Sequence, residues 1–258
     1  MRIHAGGFCF QGLTVIPILE RFLLKQKEKM EIISNGLAGF YAILFEHFGK
    51  FEARRRLQKF IEKFEFTFQI IHRKKKGYDK NNSAGKKVQI AHCIKWSTSP
   101  AIYSWNQVEE FLVGLKGETC VKAEMVNLFE RTVELFEGSS KEIAKACLAF
   151  PGVFPPLYEK YVNTTYLTQI PVSFLEDGDI VLVNFRDLSN VEFESIGEII
   201  LQSMECRMIE LAKRLLTEKD VKLVKVETQI SLKDIANLKN NSWEFLESVI
   251  NLPSFNDI

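Results

Sequence analysis

The sequence has no long apolar run and no dense cysteine pattern, and it carries almost no net charge. No segment approaches the roughly 20 consecutive apolar residues of a membrane-spanning helix. Near the N-terminus the apolar residues are interrupted by Gly6, Gly7, Gln11, Gly12 and Pro17, so no secretory leader is expected. The five cysteines, Cys9, Cys93, Cys120, Cys147 and Cys206, are odd in number and widely spaced, with no CxxC pair. That excludes a disulfide framework and a conventional structural zinc site, and it suits a reducing cytoplasm. A formal net charge of +1 excludes a globally polyanion-seeking protein. There is no internal repeat and no low-complexity segment.

What is present suits one globular domain. The 258 residues are 46% hydrophobic and 26% charged, enough for a single sizeable core. Short β-rich runs alternate with apolar-periodic segments. Strands are expected at 2–5, 31–34, 180–185 and 221–226, the last two apolar enough to be covered on both faces. Helices are expected over 13–26, 37–48, 105–118, 123–136, 140–148, 193–216 and 243–250. Pro17 belongs in the first turn of its helix, Ser139 or Ser140 is the N-cap of another with Glu142 behind it, and Gly49 closes a third. This alternation implies an α/β domain with a mostly parallel sheet and helices on both faces.

Residues 50–95 differ in charge, with fourteen Lys/Arg against four Asp/Glu. Arg54-Arg55-Arg56, Arg73-Lys74-Lys75-Lys76 and Lys86-Lys87 interleave with Phe51, Phe60, Phe64, Phe66 and Phe68. A solvated face around an apolar stripe explains this pattern. So does contact of the Arg54–Lys87 segment with an anionic membrane. No motif supports nucleic-acid binding.

Three segments carry more specific information. One is Ala146-Cys-Leu-Ala-Phe-Pro-Gly-Val-Phe-Pro-Pro156. The second is Asn163-Thr-Thr-Tyr-Leu-Thr-Gln-Ile-Pro171-Val172. The third is Ile32-Ile-Ser-Asn-Gly-Leu-Ala-Gly-Phe-Tyr-Ala42, preceded by a glycine-containing turn, Gly6 to Gly12. In order, spacing and strand–turn–helix context these segments resemble the patatin-like acyl hydrolases. The match covers about residues 2–49 and 143–188, with 50–142 left as a variable helical cap. The resemblance implies a three-layer α/β fold, with a serine nucleophile on a GxSxG turn after the second strand. It also implies an aspartate base in a DG[GA] motif and an oxyanion turn after the first strand.

The chemistry-bearing positions depart from that pattern. Gly36 stands at the serine position, or Leu37 if the register moves by one. Asn163 stands at the aspartate position, and an amide cannot take a proton at neutral pH. The oxyanion turn keeps Gly7 and Gly12 but holds Phe8 and Cys9 between them. Fallback nucleophiles are Ser34 and Cys9, with Asp177 as a fallback base. Asn82-Ser83-Ala84-Gly85 reads as a surface loop, and His4, His47, His72 and His92 as structural or solvated. No metal or cofactor site is expected. The leading expectation is a catalytically inactive patatin-like protein with a lipid-binding, acyl-binding or regulatory role, cytoplasmic or peripheral to a membrane. The alternatives are an active lipid acyl hydrolase with a relocated nucleophile and a protein–protein interaction domain without a lipid role.

Overall fold

A computed structural model describes residues 1–7, 12–25, 30–64, 101, 103–184, 196–228, 243 and 250–251. The chain is α/β. Strand β1 (Arg2–Ala5) lies at the centre of a mixed, mostly parallel sheet, with β2 (Glu31–Ser34) on one side and β6 (Ile180–Val183) on the other. The strand order is β4-β3-β2-β1-β6-β7, with β3 at Val121–Asn127, β4 at Thr132–Phe136 and β7 at Lys222–Lys225. A short strand, β5 (Tyr161–Asn163), runs antiparallel to β3. Its register fixes the site described below. The lower half of β3 pairs with β2, ending at Ser34↔Ala123, and the upper half pairs with β5, beginning at Met125↔Asn163. Asn163 is thereby brought up to the C-terminal end of β2.

The two faces of the sheet are covered differently. Ile3, Ala5, Ile32, Val121, Ala123 and Leu182 point into the main core under three helices, α1 (Ile16–Lys25), α2 (Gly36–Lys63) and α4 (Ser140–Leu148). On the other face Val181 and Val183 pack with Ile170, Val172, Leu175 and Leu216, the last from α5 (Ile196–Leu216). Period-two alternation along parallel strands produces this division, because neighbouring residues point to opposite faces.

Local signals account for most helix ends. Pro17 sits in the first turn of α1. Helix α2 is broken at Gly49, whose backbone (φ 72, ψ 172) no longer follows the helix. Both hydrogen bonds of a capping box join Ser139 and Glu142 at the start of α4.

Residues 105–136 correct the sequence reading. Only a short 3₁₀ turn, Trp105–Gln107, and the four-residue helix α3 (Glu109–Leu112) form where a helix over 105–118 is expected. Gly114 and Gly117, at φ 89 and 72, turn the chain away. The expected helix over 123–136 is instead the β3–β4 hairpin. Val121, Ala123 and Met125 alternate onto the core face, and Arg131 takes φ 58 in the turn. This part of the expected helical cap therefore belongs to the central sheet. At the C-terminus, Ile250 lies in a two-residue strand, β9 (Ile250–Asn251), paired with β8 (Glu227–Thr228). The rest of the expected terminal helix, apart from Trp243, lies outside the described residues. Among the described residues no helix is long and apolar enough to cross a membrane.

Candidate functional site

The C-terminal ends of β1 and β2 meet the segment that follows β5. Strand β2 ends at Ser34, Asn35 is the extended N-cap residue of α2, and Gly36 turns the chain with φ +65. A strand entering a helix through one positive-φ residue is the geometry of a nucleophile elbow. The conformation puts the corner at Gly36 and leaves Leu37 inside the helix. Only glycine takes this conformation without steric cost.

No reactive side chain stands at the corner. A Cβ on Gly36 would lie 3.2 Å from the Gly7 carbonyl oxygen and 3.4 Å from Cζ of Phe150. The aromatic ring, from the Phe-Pro-Gly-Val-Phe segment, lies in van der Waals contact with the position a side chain would take there. Among the described residues of the β1 turn, the nearest backbone group is the Gly7 carbonyl oxygen, which repels a developing oxyanion where N–H groups would stabilise one. Phe8 and Cys9 lie outside the described residues. Gly12 packs against the amide nitrogens of Ala38 and Leu37, where a Cβ would lie 3.3 and 3.6 Å away.

Asn163 reaches the site but serves the backbone. Its Nδ2 donates to the Cys147 carbonyl at 2.9 Å, and its Oδ1 accepts from the Thr165 N–H at 3.3 Å. The side chain thus caps a 3₁₀ turn, Thr164–Tyr166, and ties it to the end of α4. The direct link to the elbow comes from the next residue, since Asn35 Nδ2 donates to Thr164 Oγ1 at 3.0 Å. Asn35 makes no side-chain cap bond to its own helix, because its amide faces this segment. Gly6 permits that approach. A Cβ there would stand 2.2 Å from Asn35 Oδ1 and 2.8 Å from Cδ of Pro171.

Of the fallback residues, Cys9 lies outside the described residues, and Ser34 and Asp177 do not come together at the elbow. Ser34 is fully buried, and its Oγ donates to the Ala5 carbonyl at 2.5 Å. Asp177 precedes β6 and accepts from the Asp220 N–H at 3.0 Å, which places it at the opposite end of the parallel strands from Gly36. Cys147 lies beside the site, but burial pushes its thiol up to about 12, so it is inert. Asn82–Gly85, His72 and His92 lie outside the described residues. The two ring nitrogens of His47 lie 3.0 Å from the Ile43 and Lys116 carbonyl oxygens, to which an N–H of the ring can donate, a structural setting. No group of three or more His, Cys, Asp or Glu suited to a metal ion occurs among the described residues.

The first basic cluster is engaged internally. Arg54 grips the buried carboxylate of Glu20 through Nε at 2.6 Å and through a second nitrogen at 2.5 Å, and Lys50 lies 3.1 Å from the same group. Tyr41 donates its hydroxyl to Glu20 as well. Arg55 and Arg56 both bind Glu52. The Arg73–Lys76 and Lys86-Lys87 clusters lie outside the described residues.

Two buried ionisable groups around the site were not singled out by sequence reasoning for any role in chemistry. Glu124 of β3 is fully buried, and its Oε2 accepts from the Ser173 N–H at 2.9 Å while Oε1 has no partner. Burial pushes its carboxyl up to about 7. His4 is also fully buried, with Nδ1 2.7 Å from the Pro171 carbonyl and Nε2 2.9 Å from Asp179 Oδ2. Burial raises Asp179, but the Arg2 guanidinium, the Glu176 N–H and His4 outweigh it and hold the carboxylate below its usual range. An acid at the fourth position of Val-Lys-Ala-Glu-Met-Val-Asn would have drawn attention had that run been read as a strand.

Compared with known proteins, the chain matches no family model and no curated protein.

Proposed function

We propose that this chain is a patatin-like protein with a three-layer α/β fold whose hydrolytic site has been dismantled and whose role is binding or regulation. The observation that carries this reading is the elbow itself. The residue at the corner is a glycine at φ +65, and Phe150 lies in van der Waals contact with the position a side chain would take there. Acyl transfer needs a hydroxyl or thiol at the corner, a base within hydrogen-bond reach and donors aimed at the oxyanion. Gly36 supplies no nucleophile, Asn163 supplies an amide engaged with backbone, and Gly7 turns a carbonyl oxygen toward the corner. The Phe150 ring beside the elbow is aromatic, and the ligand class we propose for it is an acyl chain. We place the protein in the cytoplasm, with peripheral contact to an anionic membrane through the basic segment.

Two measurements test this reading. The purified chain should not be labelled by a fluorophosphonate probe, which reports an activated serine; labelling above that of heat-denatured protein would overturn the inactive-site reading. Co-sedimentation with vesicles should increase when phosphatidylserine or phosphatidylglycerol is added to phosphatidylcholine. Equal sedimentation with neutral and anionic vesicles would contradict the membrane contact and favour a protein–protein interaction role.

A further inference from the structure

The segment Asn163–Leu175 crosses the second face of the sheet as a strap. Its apolar members Ile170, Val172 and Leu175 pack on Val181 and Val183. Its first half reaches the elbow, through Thr164 to Asn35 and through the Gln169 carbonyl and Pro171 against Gly6. It is fastened on either side of Val172 by two buried side chains from the sheet. His4 meets the Pro171 carbonyl, and Glu124 meets the Ser173 N–H.

We propose that Glu124 makes this strap a pH-gated fastening beside the elbow, closed while Glu124 is protonated and loosened as it ionises. The geometry around Glu124 carries the argument. The carboxyl is fully buried. The groups that act on it are the Ser173 N–H, the Thr164 hydroxyl and the Ser173 hydroxyl, all uncharged, and no cation acts on it among the described residues. Its second oxygen has no partner. Lys122, on the same face of β3, is held at the other end of the strand by Glu31 and Glu137. Ionising Glu124 therefore buries an anion with no counter-charge, whereas protonating it leaves at most one unmatched O–H. The first is far more costly than the second. Opening the strap returns the carboxylate to water and removes that penalty.

His4 acts in the opposite direction. The Pro171 carbonyl can only accept, and the Asp179 carboxylate, held by Arg2 with Glu176 beside it, accepts as well. Burial drives the ring toward its neutral form, against the pull of Pro171 and Asp179. A neutral ring has one N–H, so it can satisfy one acceptor and turns a lone pair on the other. With its pKa held below the usual range in the closed strap, protonating the ring on the acid side favours opening and offsets part of the Glu124 effect.

The sign for Glu124 is fixed by linkage. Its carboxyl is raised to about 7 with the strap closed and returns to the ordinary carboxylate range when the strap opens. A group raised in the closed state favours closure fully below its open-state value, and that favour is lost as pH rises through the closed-state value. The gate thus loosens between mildly acidic and neutral pH.

Hydrogen exchange of the whole chain, corrected for intrinsic exchange chemistry, tests the gate. Protection in peptides covering 163–175 should fall on the order of tenfold between about pH 5.5 and about pH 8, while peptides from α4 keep theirs. Unchanged strap protection would overturn the proposal, as would a parallel loss in α4, which would mean global unfolding. Glu124→Gln keeps an uncharged acceptor and should give strap protection that no longer varies with pH through Glu124; a dependence equal to that of the parent chain would overturn the assignment. If that variant does not fold, the parent chain still decides the matter through its Glu side-chain carboxyl ¹³C shifts. One buried glutamate should titrate near neutrality, and titration of every glutamate in the ordinary carboxylate range would overturn the gate.

Discussion

Replacing Gly36 by alanine separates the geometry argued here from an ordinary helix start. At a helical position compatible with φ < 0, Gly→Ala stabilises by about 0.4–1 kcal/mol, because the unfolded chain loses freedom. At φ +65 the sign reverses. A Cβ in the left-handed region costs about 1–2 kcal/mol. The new methyl would also meet the Gly7 carbonyl oxygen at 3.2 Å and the Phe150 ring at 3.4 Å, contacts at the tight end of what real side chains tolerate. The expected outcome is a net loss of ~1–3 kcal/mol, read as a lowered denaturant midpoint at unchanged slope. For a chain of this size that corresponds to a fall in Tm of about 2–4 °C per kcal/mol. A neutral or stabilising Gly36→Ala would refute the elbow geometry. The same reasoning gives a physical account of the glycine. A serine on such a corner holds the backbone under strain for the sake of chemistry; without the chemistry, glycine relaxes the corner.

Three further substitutions probe the surroundings. Asn163→Asp should destabilise by ~2 kcal/mol or more, since a buried carboxylate would face the Cys147 carbonyl that Nδ2 now donates to; denaturant melts at neutral and mildly acidic pH should show the deficit shrinking as the new acid protonates. Glu20→Ala should cost on the order of 3–5 kcal/mol, because it leaves Arg54 without the partner that its buried half requires, and a double-mutant cycle with Arg54→Met should recover part of the loss. Gly39→Ala should cost ~1–3 kcal/mol, since its Cβ would lie 2.5 Å from Cys147 Sγ, and Cys147→Ala in the same chain should restore much of it.

The parts of the fold visible in the sequence were those with strong local signals. The Pro17 entry, the Gly49 break and the Ser139/Glu142 cap all stand where the residues indicate. The runs at 180–183 and 31–34 are strands because β-branched residues dominate them. The β3–β4 hairpin was not visible. Its run contains Ala, Met, Leu and several Glu, all good helix formers, and only its place beside β2 and β5 makes it a strand. Tertiary pairing overrode local preference there, and with the hairpin went the sight of Glu124. At the site, Gly36 and Asn163 were legible as chemically empty positions because a missing side chain or an amide is a property of the residue itself. Phe150 beside the corner, the Gly7 carbonyl turned toward it and the fastening of Pro171 by His4 are contacts between segments far apart in sequence, and no local pattern encodes them.

Ester hydrolysis tests the central claim most directly. The purified chain, given a short-chain p-nitrophenyl ester, should release p-nitrophenol no faster than buffer, because among the described residues no hydroxyl, base and oxyanion donor converge at Gly36. Turnover above background that is abolished by Ser34→Ala, Cys9→Ala or Asp177→Asn would contradict the account and identify a working relocated site.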